Sequence, residues 1–351
     1  MYSAIIIGFG KAGRRFYNVL KHMNKDRVLV NILCVVEQDE NKIQDLDVEC
    51  FSSCEKAFEK YKSIDLVFIC SNEKDHYSNF KEIKNNKLAY KRIITEKPLT
   101  KNLSEAEWIY QNFNIHDITL NFVERYSPIC SIYKDWVVKN QLEAYRVIFF
   151  WGKNRIYDSR PTIGTFSEIS HPIDLVSYLC DGRNPTNRSY TITESITSQS
   201  EFNPYQGNTM DSISVNYLMG DIHVTGHSSF IWDERNRKIL IYLKDKKNNI
   251  FLCKLVFDNP NWDSDILSIY KIDKEGKKLE YEYSVKREDL DEEIYGLNKI
   301  YKFINENINS LSQKNISENL AYCDQAIFIQ KILEDLKPLV NTENHEKDVV
   351  F

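Results

Sequence analysis

The residues with the clearest chemistry open the chain. Gly8-Phe9-Gly10-Lys11-Ala12-Gly13 follows a short apolar run, Ala4 to Ile7, and leads into a helical pattern from about Ala12 to His22. In that setting the first glycine allows a tight turn, the second lets backbone approach a pyrophosphate, and the third lets helix pack on strand. The helix start then offers free N–H groups and partial positive charge to phosphates. Glu37 closes the next apolar run, Val30 to Val36. An acid there takes ribose hydroxyls and repels a 2′-phosphate. The next residues, Gln38, Asp39 and Glu40, include no arginine. The expected cofactor is NAD(H) rather than NADP(H).

These residues need a scaffold, and the first 122 residues supply its pattern. Apolar runs at 64–70, 93–95 and 118–122 alternate with helical segments at 55–60 and 104–112, the latter with a Ser104/Glu107 capping-box spacing. Strands alternating with helices predict βαβ units and a parallel sheet. The texture then changes. Strand patterns at 146–151, 189–197, 212–218, 222–228, 238–243, 251–257, 266–272 and 279–283 are separated by turn signals, which predicts a large, mostly antiparallel sheet. Two helices are expected at about 290–307 and 318–336, the second capped by Ser317, and a polar tail follows Pro338. The fold class is therefore α/β: a dinucleotide-binding domain at 1–122, then an α+β domain at 123–351.

Bulk properties narrow the partners. The chain has 351 residues, 42% hydrophobic and 28% charged, with a net charge of −5. That balance argues against nucleic acid, whose phosphates need a basic surface. No apolar run reaches the roughly 18 residues of a membrane span, and the start lacks a leader pattern, so a cytoplasmic location is expected. Eight cysteines show no framework. Cys34, Cys70 and Cys253 read as buried small hydrophobes, and Cys50 and Cys54 lack a second pair at zinc spacing. No metal is expected.

Further polar clusters follow successive strands: Ser71-Asn72 with His76, Glu96-Lys97-Pro98, Glu124-Arg125-Tyr126, and Glu168-x-x-His171-Pro172-x-Asp174. In order and spacing this chain resembles the Gfo/Idh/MocA oxidoreductases, the glucose–fructose oxidoreductase and inositol dehydrogenase family. The resemblance implies a Rossmann domain followed by a domain with a large open sheet. It also implies hydride transfer between a nicotinamide and a hydroxyl-bearing carbon of a sugar, sugar derivative or cyclitol. A homodimer or homotetramer through the C-terminal sheet is implied as well.

Under that resemblance, Gly8 to Gly13, Glu37, Ser71, Asn72, His76, Glu96 and Lys97 are the expected cofactor residues. Alcohol oxidation releases a proton, and His171 is the expected base. Lys97 would hydrogen-bond the reacting oxygen. Glu168 has two roles open to it: orienting the imidazole or binding a substrate hydroxyl. The family often has aspartate there, and many members place the acid four residues before the histidine. Pro172 is expected in the first turn of a helix, with His171 at its start and Asp174 reaching the same side. Arg125, Tyr126, Arg155, Tyr157, Arg160, His171 and Asp174 are the expected substrate residues. A solvated basic loop is the other reading of the 155–160 stretch. Two further functions stay open: a reductase of another ketone or imine, and a non-catalytic dinucleotide sensor, against which Lys97 and His171 together argue.

Overall fold

The computed structural model describes residues 1–25, 27–160, 162–180, 189–205 and 207–337. Asp181 and the tail from Pro338 therefore lie outside the described residues. The first layer runs β1 (Tyr2–Ile7), α1 (Lys11–Met23), β2 (Val30–Val36), β3 (Glu49–Phe51), α2 (Cys54–Lys60), β4 (Leu66–Ile69), α3 (His76–Asn85), β5 (Arg92–Thr95), α4 (Leu103–Asn112) and β6 (Ile118–Leu120). The second part runs α5 (Pro128–Asn140), β7 (Glu143–Asn154), α6 (Phe166–Cys180), β8 (Tyr190–Ser200), β9 (Thr209–Met219), β10 (Ile222–Ser229), β11 (Ile231–Lys244), β12 (Ile250–Val256), β13 (Ile266–Asp273) and β14 (Gly276–Ser284). It closes with α7 (Asn298–Gln313), β15 (Ala321–Tyr322) and α8 (Cys323–Leu336).

Among the described residues, the first sheet has the order β15-β6-β5-β4-β1-β2-β3. It is parallel except for β15, which runs antiparallel to β6. Its strands are apolar on both faces because helices cover both. Ile5 and Ile7 face one core, while Ala4 and Ile6 face the other. On that second face α1 presents Phe16, Val19, Leu20 and Met23, spaced three and four apart, and α7 adds Ile300, Phe303 and Ile304. The first core continues through α6 and α8 to the inner face of the second sheet.

That second sheet has the order β14-β13-β12-β11-β7-β10-β9-β8, antiparallel except for β7 with β10. Val147, Phe149 and Trp151 of β7 point into the core, alternating with half-buried Ile148 and Phe150 on the other face. Among the described residues no helix is long and apolar enough to cross a membrane.

Four local expectations need correction. Helix α4 is capped by Asn102, whose side chain accepts from the Glu105 amide, and not by a Ser104/Glu107 box. Asn102 holds the extended backbone of a cap, whereas Ser104 already lies within the helix. Helix α6 begins at Phe166, so Pro172 lies inside it and His171 is mid-helix. Its surroundings are buried nearly throughout, and packing overrides the proline. Helix α7 begins at Asn298, because residues 287–289 and 292–294 form separate 3-10 turns. The last segment spends Ala321 and Tyr322 on β15 before α8 begins at Cys323, with Tyr322 as its N-cap in place of Ser317.

Candidate active site

A groove of about 910 Å³ runs along the carboxyl ends of β1, β2 and β4. Gly8, with φ of +88°, sits so near β4's exit that a Cβ would lie 2.6 Å from the Ser71 nitrogen. A Cβ on Gly13 would lie 2.1 Å from the Gly8 carbonyl oxygen. Gly10, the N-cap of α1, has no atom within 4 Å of an added Cβ and no side-chain cap. The first amides of α1 are therefore left to a ligand, and the residues fit a dinucleotide pyrophosphate. Lys11 and Ala12 line the groove beside them.

Glu37 lines the same groove. Its Oε2 accepts from the Phe9 amide at 2.7 Å and its Oε1 from the Asp39 amide at 3.1 Å. The carboxylate is thus fixed at the glycine turn with lone pairs to spare for hydroxyls. Lys42 stands 3.5 Å from it. Phe9 itself turns inward and is buried, offering the groove nothing from its side chain.

Ser71, Asn72, Glu96 and Lys97 line the groove as expected from sequence. Asn79 donates to the Ser71 hydroxyl at 2.8 Å, and Asn121 donates to Glu96 at 2.7 Å. His76 is fully buried at the start of α3. Its Nδ1 lies 3.2 and 3.1 Å from the Pro98 and Leu99 carbonyls, and its Nε2 lies 3.2 Å from the Ser71 carbonyl. It lines the groove as expected from sequence and ties the loops after β4 and β5 together, with carbonyl oxygens facing both ring nitrogens. The Lys97–Pro98 peptide bond is cis.

A second cavity, of about 450 Å³, shares Lys11, Ala12, Glu96 and Lys97 with the groove. His171 and Glu124 line it. The imidazole stacks on Trp151 at 6.0 Å and meets the edge of Phe122 at 6.0 Å. Its Nδ1 lies 2.9 Å from Glu124 Oε2, poorly angled for a hydrogen bond but close enough for an ion pair once the ring is protonated. Burial pushes the His171 imidazole below its ordinary value and Lys97 adds to this, while Glu124 opposes it. A neutral imidazole is the form that can accept a proton. Lys97 donates to the Ser167 carbonyl at 2.6 Å, on the helix that carries His171.

Glu168 is buried and held from two sides. Lys153 of β7 pairs with its Oε2, and Arg237 of β11 donates to Oε1 at 3.1 Å. Burial alone would raise the carboxyl, but Lys153, Arg237 and Lys97 outweigh it and hold it well below the ordinary range. Burial, helped by Arg237 and Lys97, pushes the Lys153 ammonium down to about 7 against the pull of Glu168. Arg237 also donates to Glu124 at 2.9 Å and to Asp258 at 2.8 Å. Lys299 of α7 reaches Asp258 at 2.8 Å and Asp265 at 2.9 Å. A buried chain of alternating charge thus runs from α7 to the histidine.

The expected substrate residues divide. Arg155 and Arg160 line both cavities. Arg155 is steadied by Asp158 at 3.0 Å and by the Arg160 carbonyl at 3.0 Å, and Arg160 pairs with Asp158. Arg125 and Asp174 line neither cavity. They form a buried two-point pair, with Nε to Oδ2 at 2.7 Å, and Gln325 donates to Asp174 at 3.1 Å. Asp174 therefore does not reach the side of His171. Tyr126 donates to the Asn319 carbonyl at 3.1 Å with its ring against Phe303, and Tyr157 is 82% exposed. Neither lines these cavities. Lys153, Arg237, Arg235, Arg15 and Trp262 do line one or both, and none was legible in sequence. They lie on long strands, a loop and a helix flank, with no local motif around them.

Residues 3–121 match the Gfo/Idh/MocA family, described as an oxidoreductase family with an NAD-binding Rossmann fold. No curated protein sequence matches. Among solved structures, UDP-N-acetylglucosamine 3-dehydrogenase GnnA from Acidithiobacillus ferrooxidans is similar over 97% of both chains, with 13% identity and a TM-score of 0.72. Levoglucosan dehydrogenase in complex with NADH is similar over 96% of both chains, with 12% identity and a TM-score of 0.74. The transcriptional regulator Gal80p from Kluyveromyces lactis covers 96% of this chain and 89% of its own, with 13% identity and a TM-score of 0.71. Residues 3–121 thus match the model of this oxidoreductase family's NAD-binding Rossmann fold, and the chain as a whole shares the fold of these solved structures.

Proposed function

We propose that the protein is an NAD-dependent dehydrogenase that oxidises a hydroxyl-bearing carbon of a sugar, sugar derivative or cyclitol. The observation that carries this reading is the shared wall: Lys97 and Glu96 line both the dinucleotide groove and the cavity that holds His171. A substrate in that cavity borders the groove. NAD, when bound, supplies the hydride acceptor. His171 takes the hydroxyl proton in its neutral form, and Glu124 faces its other side and steadies the imidazolium that results. Lys97 hydrogen-bonds the developing alkoxide. Glu168, already held by Lys153 and Arg237, acts by position and charge.

Glu37 supports NAD over NADP, since its fixed carboxylate would meet a 2′-phosphate. Titration with both dinucleotides should give the tighter dissociation constant for NAD, and Glu37→Ala should narrow the gap. GnnA and levoglucosan dehydrogenase are both named for carbohydrate substrates, which supports a sugar-like substrate here. The half-buried Ile148, Phe150, Leu240 and Tyr242 on the outer face of the second sheet support the dimer or tetramer the family implies.

The deciding experiment is a screen of sugars, sugar phosphates, nucleotide sugars and inositols, watched at the NADH absorbance. His171→Ala and Lys97→Ala should each lower kcat by roughly 10²–10⁴-fold. Full activity in both variants would overturn the assigned roles. NAD binding with no turnover across the whole screen would leave a dinucleotide sensor instead.

A further inference from the structure

The second cavity carries more positive charge than the fold compensates. Lys11, Arg15, Lys97, Lys153, Arg155, Arg160, Arg235 and Arg237 all line it. Arg237, Lys153, Arg155 and Arg160 are matched to carboxylates. Among the described residues, Lys11, Arg15, Lys97 and Arg235 form no ion pair within 4.0 Å. Of the acids on the same wall, Glu124 is taken by Arg237, Glu96 accepts from Asn121, and the exposed Asp233 and Glu234 pair with neither arginine.

Geometry arranges these cations. Lys11 and Arg15 are four residues apart on α1 and share a face. Arg235 falls where the pairing of β11 with β7 shifts register, between Ile231 and Asn236, which frees it from the ladder. Both guanidinium groups stack on Trp262, Arg235 at 3.6 Å and Arg15 at 4.9 Å from the ring centre. The ring fixes their planes and leaves N–H edges to act as donors. Arg15 places one N–H on the Gly296 carbonyl at 3.2 Å. The buried Nε of Arg235 has no hydrogen-bond partner. Burial lowers Lys11, Arg15 and Arg235 alike; Arg160 adds to this at Lys11 and Arg237 at Arg235, while at Arg15 the pull of Glu96 and Asp258 opposes burial ahead of the push from Arg237. Unpaired, partly desolvated cations are costly unless an anion completes them.

We propose that the substrate carries an oxyanion, a phosphate or a carboxylate, and that Arg15 and Arg235, braced on Trp262, bind it next to Lys11. The word substrate rests on the dehydrogenase reading above; the anion site itself does not.

The test uses the full chain saturated with NAD. Values of kcat/KM are compared for a hexose, its phosphomonoester, its uronic acid and its nucleoside-diphosphate ester. At least one anionic form should exceed the neutral sugar by about ten-fold or more. The phosphomonoester and the uronic acid tell the two oxyanions apart. Arg15→Gln and Arg235→Gln should remove the advantage by raising KM, and Arg235→Lys should restore part of it. The melting temperature reports folding, and Arg235→Gln decides alone if Arg15→Gln does not fold.

Equal turnover of neutral and anionic forms would overturn the anion site while upholding the dehydrogenase. So would variants that weaken NAD binding instead of raising KM. If no compound is oxidised, inorganic phosphate is titrated into the NAD-saturated chain. A rise in melting temperature that Arg235→Gln abolishes upholds the anion site while the dehydrogenase reading falls. No rise overturns the proposal.

Discussion

His171 is fixed by Trp151, Phe122 and Glu124, so its chemistry is set by what surrounds it. As the proposed base, His171 must be neutral to act; activity should be present above its pKa and lost below it. Burial, the largest cause, places that pKa under the ordinary value near 6.5, so the acid limb of kcat/KM should fall below about pH 6.5. Glu124→Gln removes the charge that favours the imidazolium. The limb should then move to still lower pH, and kcat should fall by about ten-fold or more as the facing carboxylate is lost. A limb that moves upward would mean that another group titrates. His171, Lys97 and Glu168 were legible because each sits in a short motif. Arg237 and Lys153 were not: Arg237 comes from a strand 69 residues away, and Lys153, 15 residues before Glu168, sits at the end of β7 with no motif around it. Asp174 misled because three-residue spacing predicts a shared side, whereas Arg125 and Gln325 pull it into a different buried pair.

Elements give a cleaner separation of stability from binding. Gly13→Ala would drive a methyl group into the Gly8 carbonyl, so α1 must shift, at a cost of about 1–3 kcal/mol. Gly10→Ala meets open space and should cost less than about 1 kcal/mol. Its methyl would stand at the uncapped start of α1, where the pyrophosphate must approach. Thermal unfolding and NAD titration together check this. The expected result is a lower melting temperature for Gly13→Ala, and for Gly10→Ala a near-normal one with weak NAD binding. Normal NAD affinity in Gly10→Ala would move the dinucleotide away from this turn. Five of the parallel strands were read to within about two residues, because apolar runs flanked by turn residues have few alternatives, whereas the three-residue β3 (Glu49–Phe51) was missed, its Glu-Cys-Phe being too short to show a pattern. Helix ends were read less well. Asn102 outcompeted Ser104 as a cap, and burial carried α6 through Pro172.

At the scale of the molecule the chain returns on itself. Strand β15 pairs with β6, and α7 covers α1 on the first sheet. Phe303 lies 6.4 Å from the Phe16 ring. A fragment of residues 1–122 would lack both partners. Each large apolar side chain left uncovered forfeits about 1.5–3 kcal/mol. Such a fragment should bind an apolar-surface dye and melt well below the intact chain; a fragment as stable as the whole would contradict this. The return was not legible, because two residues of strand give no periodicity and α7's apolar stripe does not name the face it covers.

Lys299 belongs to that returning segment, and it anchors the charge chain that ends at His171. On a ribosome the glycine turn emerges first, and the histidine's surroundings are completed only when α7 arrives. A nascent or prematurely ended chain can therefore assemble the dinucleotide turn long before it can finish the site for proton transfer. Under the proposed function, order of synthesis would keep hydride transfer silent until α7 has docked.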